Sequence, residues 1–207
     1  MGILTEGFTE EICKYSIKRR ERDIQKGVQG LLSQIPKGFT IAVQDESIFV
    51  HDTLVRRKLW LPKGIRPVVT VTGSHQKTCV FGTLTINGMQ LFRQYDVFNQ
   101  DTFLDYLKQI KKKLGNVVML TDRARPHQSN KIKEYLEKNK DSLKIIYLPK
   151  GSPEFNAVEE CWRQGKYDLL VSKYYPGFDD LKSSIAKYYR TRHFNLDIVK
   201  YLLRKSN

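Results

Sequence analysis

Three carboxylates, far apart along the chain, stand where acid chemistry is commonly done. Asp45 follows a short β-rich run, Phe39 to Val43. Asp122 follows a continuous apolar run, Val117 to Leu120. Glu159 lies on a helical segment after a further apolar run, Lys144 to Leu148. In open α/β sheets, sites form in the crevice at the carboxyl ends of the strands. If the strand before Asp45 neighbours the strand before Asp122, the two aspartates come side by side there, and Glu159 reaches them from the helix above. Three converging carboxylates repel one another and call for divalent cations, and oxygen-only ligation suits Mg²⁺ or Mn²⁺ rather than Zn²⁺. Two such ions, about 3.5–4 Å apart, suit an in-line phosphodiester displacement, clamping the attacking and departing oxygens. Against this, an Asp after a strand is more often a cap or turn residue, and Glu159 beside Glu160 reads equally as a solvated helix pair.

The elements that must position these acids follow from periodicity. Glu10 to Ile35 reads as a helix with Ile24, Val28, Leu31, Leu32 and Ile35 on one stripe, a lead-in over residues 1–37 ahead of a domain over 38–207. Turn chemistry at Pro36-Lys37-Gly38 separates the two. The first strand, Phe39 to Val43, ends at Gln44-Asp45-Glu46, and Val68 to Thr72 reads as a second. Thr78 to Ile86 and Gln90 to Val97 flank the hairpin signal Asn87-Gly88. Asp101 to Leu114 is a helix with Phe103, Leu104, Leu107, Ile110 and Leu114 on its apolar face and Lys111, Lys112 and Lys113 in its last turn. Val117 to Leu120 has the pattern of a strand buried on both faces. Helices are expected at Gln128 to Asn139, from Ser152-Pro153 through Trp162, at Asp179 to Tyr189 and at Leu196 to Leu203, with a strand at Lys144 to Leu148. A meander followed by alternation describes an α/β fold, a mixed sheet flanked by helices.

Charge points to the partner. In 207 residues, 36 Lys+Arg face 22 Asp+Glu, a net charge of +14. Such an excess suits a polyanion, nucleic acid first among them, with a merely basic surface as the bland alternative. From Thr53 to Tyr95 there is no acid but there are seven bases: Arg56, Arg57, Lys58, Lys63, Arg66, Lys77 and Arg93. The segment from Gly165 onward carries nine Lys+Arg against four Asp+Glu, which suits backbone contacts or a solvated face. No run approaches the ~20 apolar residues of a membrane span, and Glu6, Glu10 and Glu11 occupy the place of an apolar leader. Three cysteines without CxxC spacing argue against a disulfide framework or zinc module, so a cytoplasmic location is the expectation.

Four words occur in a familiar order: Gln44-Asp45-Glu46-Ser47; Arg57-Lys58-Leu59-Trp60-Leu61-Pro62-Lys63-Gly64; Leu120-Thr121-Asp122-Arg123-Ala124-Arg125-Pro126-His127-Gln128-Ser129; and Leu148-Pro149-Lys150-Gly151-Ser152-Pro153-Glu154-Phe155-Asn156-Ala157-Val158-Glu159-Glu160-Cys161-Trp162. Together, from about Gly38 to Lys166, they resemble the catalytic domain of mariner-like DDE transposases, in particular the prokaryotic insertion-sequence branch. The resemblance implies an RNase H-like fold whose five-stranded mixed sheet carries an acidic triad of Asp45, Asp122 and Glu159 on two Mg²⁺ or Mn²⁺ ions. It implies hydrolysis at transposon ends and strand transfer into target DNA. A homodimer on double-stranded DNA, bridging inverted repeats and target, and a prokaryotic cytoplasm or nucleoid follow by the same analogy. Thirty-six residues separate Asp122 from Glu159, close to the family's spacing.

Two positions depart from the pattern: Arg123 where the family usually has Asn after the second aspartate, and Ala157 where it usually has Pro. Neither is a metal ligand. Arg123 puts a cation beside the site, to weaken metal binding or to contact a phosphate. Only about 37 residues precede the first strand, too few for the family's paired helix-turn-helix modules, so the sequence reads as a catalytic portion: a fragment, a split-frame product or a decayed copy. Arg56, Arg57, Lys58, Lys63, Arg123, His127 and Arg163 are candidate DNA contacts. His127 reads equally as a cap or surface residue, and Arg163, four residues after Glu159, as its ion-pair partner. Glu46 should point to the opposite sheet face from Asp45. Trp162, three residues after Glu159, is expected to pack and orient the helix. Two competing readings remain: another RNase H-like nuclease, acting on RNA–DNA hybrids or Holliday junctions, and a DNA-binding remnant without catalysis.

Overall fold

Hydrophobic alternation and turn chemistry build a meander first. In the computed structural model, which describes residues 30, 35–52, 63–65, 68, 70–148 and 155–202, β1 spans Thr40–Val50, β2 Lys77–Thr85 and β3 Gln90–Tyr95. The β2–β3 turn falls at Asn87-Gly88 as expected, but only Gly88 takes a positive φ, 82°. The loop therefore closes one step wider than a two-residue turn, with the Thr85 N–H donating to the Met89 carbonyl at 2.9 Å.

Helices and parallel strands follow. Helix α1, Gln100–Leu114, starts at Asn99, whose side chain accepts from the Asp101 and Thr102 N–H groups while Thr102 answers the Asn99 N–H. It buries Phe103, Tyr106, Leu107, Ile110 and Leu114 and stops at Gly115, φ 71°. Next come β4 (Val117–Thr121), buried throughout, a 3₁₀ turn at Arg125–Gln128, α2 (Asn130–Lys138) and β5 (Leu143–Tyr147). Helices α3 (Val158–Leu170), α4 (Phe178–Thr191) and α5 (Ile198–Leu202) complete the described chain.

The five strands form one sheet in the order β3-β2-β1-β4-β5. β1 pairs antiparallel with β2 and parallel with β4, so it is the central strand. Its period-2 alternation feeds two cores. Ala42 joins Phe81, Phe103, Tyr106, Met119 and Ile132 under α1 and α2. Val43 and Phe49 join Leu120, Trp162, Leu181, Ile185 and Tyr189 under α3, α4 and α5. Cys79 and Cys161 lie buried within these cores, as small hydrophobes do.

The sheet departs from expectation in three places. β1 does not end at Val43. It runs through Gln44-Asp45-Glu46 to Val50, because β2 continues to pair with it as far as Val50↔Lys77. Val68 to Thr72 is not a strand among its described residues: Val68 and Val71 are exposed and cover no sheet face. Thr72 is instead tied back by bonds from its N–H to Asp52 Oδ1 (3.0 Å) and from its Oγ1 to the His51 carbonyl (2.5 Å). The expected helix from Gln128 splits at Ser129, which caps α2 through the Ile132 N–H. The lead-in helix (Gly30 and Ile35 apart) and the Ser152-Pro153 helix start lie outside the described residues, as do Arg56, Arg57, Lys58 and Trp60. Among the described residues no helix is long and apolar enough to cross a membrane.

Candidate active site

Asp45 sits in the middle of β1, opposite Gly82 of β2. A Cβ at Gly82 would stand 2.7 Å from both the Trp162 ring and the Phe92 ring. The bare backbone there lets the indole lie across the sheet, and the Trp162 Nε1–H donates to Asp45 Oδ2 at 2.8 Å. Trp162 thus packs as expected, within the aromatic cluster of Phe92 and Tyr189. It also fixes one oxygen of the acid, which spacing alone did not show.

Glu159 reaches the same place from the first turn of α3. Asn156 fastens that turn to β1: its Nδ2 donates to the Gln44 carbonyl at 2.9 Å, and its Oδ1 accepts the Val158 N–H at 3.2 Å. Burial pushes the Asp45 carboxyl up to about 7, and the Glu159 and then the Glu46 charges push it the same way. Burial also raises Glu159, against a pull from Lys166. Two carboxyls in mutual repulsion, one of them poised near neutrality, form a site that a hard cation would stabilise.

Asp122 follows β4. The last parallel pairs of β1 with β4 are Ala42↔Met119 and Val43↔Leu120, and Asp122 lies just beyond the paired residues. Its Oδ1 accepts the Ala124 N–H at 2.9 Å and meets His127 Nδ1 at 2.9 Å, while the side chain is 61% exposed. The His127 bond holds the Asp122 carboxyl below its usual range, against a smaller effect of burial. Among the described residues, no three His, Cys, Asp or Glu side chains stand in a metal-holding cluster. Asp45 feels the charge of Glu159, while Asp122 is held by His127.

His127 is not a surface residue. Its ring is fully buried against Phe103, 4.1 Å between centroids, and its Nε2 donates to Glu46 Oε1 at 3.0 Å. Both nitrogens are engaged, so the ring offers none to a phosphate, and the expected DNA contact at His127 is corrected to a buried one. Burial works against its charge, but the bonds to Asp122 and Glu46 outweigh it and raise the imidazole to about 9. Glu46 does project to the face opposite Asp45, as alternation requires. The other candidates scatter. Lys63 and Arg123 are exposed. Arg163 pairs in a bidentate fork with Glu160 (2.7 and 2.6 Å) rather than with Glu159, because a residue three positions back lies within closer reach. Sequence reasoning gave no role to Gln44, Thr121 or Asn156. Their one signal was polarity inside buried segments: Thr121 Oγ1 donates to Gln44 Oε1 at 2.6 Å with both side chains buried.

Residues 40–182 match the family described as DDE superfamily endonuclease. The chain belongs to this family. No curated protein matches the chain. Among solved structures, this DDE endonuclease is similar to the Mos1 strand transfer complex at 15% identity and TM-score 0.65, over 89% of its own length and 58% of that chain. It is similar to the Mos1 mariner paired end complex with Mg at 16% identity and TM-score 0.62, over 89% of this chain and 59% of that one. The catalytic domain of Mos1 mariner transposase matches at 14% identity and TM-score 0.56, over 90% of this chain and 86% of that one. The DDE chain thus spans somewhat over half the length of the transposase chains in the assembled complexes. The likeness establishes the RNase H-like fold, a five-stranded mixed sheet flanked by helices.

Proposed function

We propose that this chain is the catalytic portion of a mariner-like DNA transposase, a divalent-metal-dependent endonuclease and strand transferase whose acids are Asp45, Asp122 and Glu159. The observation that carries the reading is the Asp45–Glu159 pair: Trp162 fixes Asp45, Asn156 fastens the turn before Glu159, and burial together with the Glu159 charge raises the Asp45 carboxyl to about 7. A fold has no structural need to set an acid of its central strand against an acid of the helix packed on it, and such perturbed pairs concentrate at functional sites. The structures similar to it include Mos1 paired end complexes with Mn and with Mg, and the donor set fits those ions: carboxylate oxygens only, with the Asp122 side chain largely exposed and, among the described residues, bonded at Oδ1 alone.

Asp45, Glu159 and Asp122 would hold Mg²⁺ or Mn²⁺. When bound, such ions activate an oxygen nucleophile and offset the charge gathering on the transferred phosphate. The chain's own part is positioning. The Trp162 indole fixes Asp45 Oδ2, Asn156 fixes the turn that carries Glu159, and His127 fixes Asp122 Oδ1. Lys63, Arg123 and Arg163, with Arg56, Arg57 and Lys58, would contact the DNA backbone. The prokaryotic insertion-sequence origin, a homodimer bridging two ends of double-stranded DNA, and a cytoplasmic or nucleoid location belong to the same proposal.

The test is nicking of supercoiled plasmid, and of a duplex bearing the inverted repeats that flank the gene, with Mg²⁺ or Mn²⁺. The expected result is metal-dependent nicking that Asp122→Asn abolishes, with DNA affinity kept or raised because a negative charge is gone. Nicking by both forms, or by neither, overturns the reading.

A further inference from the structure

His127 is a fully buried charged side chain, and the proposed chemistry gives it no contact with substrate. Its surroundings are rigid. Phe103 packs on the ring at a 39° tilt, 4.1 Å between centroids, and Phe98 lies at 5.4 Å. Its carbonyl accepts the Tyr147 Oη–H at 3.0 Å, and its N–H donates to the Ala124 carbonyl at 3.1 Å. Beyond the ring, Glu46 is itself anchored: it belongs to central strand β1 and accepts the Gln44 Nε2–H at 2.7 Å. A chain of fixed bonds therefore runs from the middle of the sheet through Glu46 and His127 to Asp122.

That chain ends in an asymmetry. The side-chain bonds on Asp122, from His127 and from the Ala124 N–H, both fall on Oδ1, and the rest of the carboxyl is open to solvent. An aspartate on an exposed loop otherwise rotates, and a cation that binds it must bear the cost of stopping that rotation. We infer that His127, braced by Glu46, is a positioning residue: by holding Asp122 Oδ1 it presents Oδ2 as a fixed ligand oxygen for a divalent cation. The inference rests on the metal-binding reading above. Partners that orient a ligating carboxylate in this way typically change metal affinity by about 10- to 100-fold when removed.

The test is Mn²⁺ binding to the full chain by titration calorimetry, which needs no DNA and no turnover. Wild type binds and Asp122→Asn binds less tightly. His127→Gln, with its circular dichroism spectrum unchanged, should weaken Mn²⁺ binding by about 10- to 100-fold. In the Asp122→Asn background the same substitution should change nothing further, a result that general loosening of the fold would not give. If His127→Gln fails to fold, Glu46→Leu keeps the His127 ring and its Asp122 bond while removing the acceptor that braces it, Glu46→Gln weakens that brace from charged to neutral, and both should weaken binding in the same direction. Wild-type affinity in the folded His127→Gln, Glu46→Leu and Glu46→Gln variants overturns the inference, as does an equal loss in the Asp122→Asn background. A folded wild type that binds no Mn²⁺ overturns the metal reading itself.

Discussion

Replacing Asp45 with Asn should make the metal-free protein more stable, and only over part of the pH range. The folded chain holds the Asp45 proton up to about pH 7, because burial and the Glu159 charge disfavour the anion, whereas an aspartate in the unfolded chain loses it near 3.8. Below about pH 4 both states are protonated and Asp45 costs nothing. Between pH 4 and 7 a rise in pH draws the proton from the unfolded chain alone, so folding weakens steadily. Above pH 7 both states are ionised and the deficit is constant. About three pH units at ~1.4 kcal/mol each set it on the order of 4 kcal/mol. Asn keeps an acceptor for the Trp162 Nε1–H, so it removes the charge with little change of shape. Urea unfolding of both forms at steps from pH 3.5 to 8.5, without metal, measures the difference. The curves should coincide near pH 4 and separate by several kcal/mol at pH 8, with Asp45→Asn the more stable. Saturating Mn²⁺ should then narrow the gap by stabilising wild type, by about 2.7 kcal/mol at a hundred times Kd. Curves that stay parallel from pH 4 to 8 would refute the reasoning, since Asp45 would then ionise alike in both states.

The sheet around that acid gives further tests. Gly82→Ala places a methyl 2.7 Å from the Trp162 and Phe92 rings; overpacking of this kind costs about 1–3 kcal/mol, and an unchanged urea midpoint would contradict the contact. Asn156→Ala strips the Gln44 carbonyl and the Val158 N–H of their partners. A loss of about 1–3 kcal/mol in the same assay is expected, together with slower nicking as the Glu159 turn loosens. His127, raised from 6.5 to about 9, contributes stability that is fully present below pH 6.5 and fades as pH rises through 9. Thermal melts from pH 6 to 10 should show that decline, and it should be shallower in Glu46→Gln. DNA binding through roughly 6–10 phosphates should weaken by about 10³–10⁵ between 50 and 200 mM salt in filter binding; a flat response would leave the +14 charge as ordinary surface.

The acids themselves were legible in the sequence, and what surrounds them was not. Asp45, Asp122 and Glu159 each sit at an edge between apolar and polar runs, and the flanking words carry the family resemblance. The central strand was cut short at Val43 because Gln44-Asp45-Glu46 reads as a strand end when judged by polarity. Its partners explain why it continues, and all are remote: Thr121 lies 77 residues from Gln44, His127 81 from Glu46, Asn156 112 from Gln44 and Trp162 117 from Asp45. Local periodicity carries no information over such separations. The reverse error, Val68 to Thr72, has the same origin. Alternation there promised a buried face, but Val68 and Val71 meet no sheet, and Thr72 is bonded to His51 and Asp52 instead.

The pattern of satisfied and unsatisfied acids along β1 separates function from structure. The consecutive polar residues Gln44, Asp45, Glu46 and Ser47 on a central strand should be destabilising unless each finds partners. Gln44 has them on every side: Thr121 on its carbonyl oxygen, Glu46 on its amide, and Asn156 on its backbone. Glu46 takes donors from Gln44 and from the buried imidazolium of His127. Between them, Asp45 receives one side-chain donor, the neutral Trp162 indole, and faces a second carboxyl in Glu159. The same strand that neutralises Glu46 with a buried cation leaves Asp45 without one. Gln44 and Glu46 are matched here, and the acid left without a cation is the one that alternation turns toward the helix bearing Glu159. On the proposed reading, a local rule broken where its neighbours keep it marks the place where folding stability is given up to bind a cation.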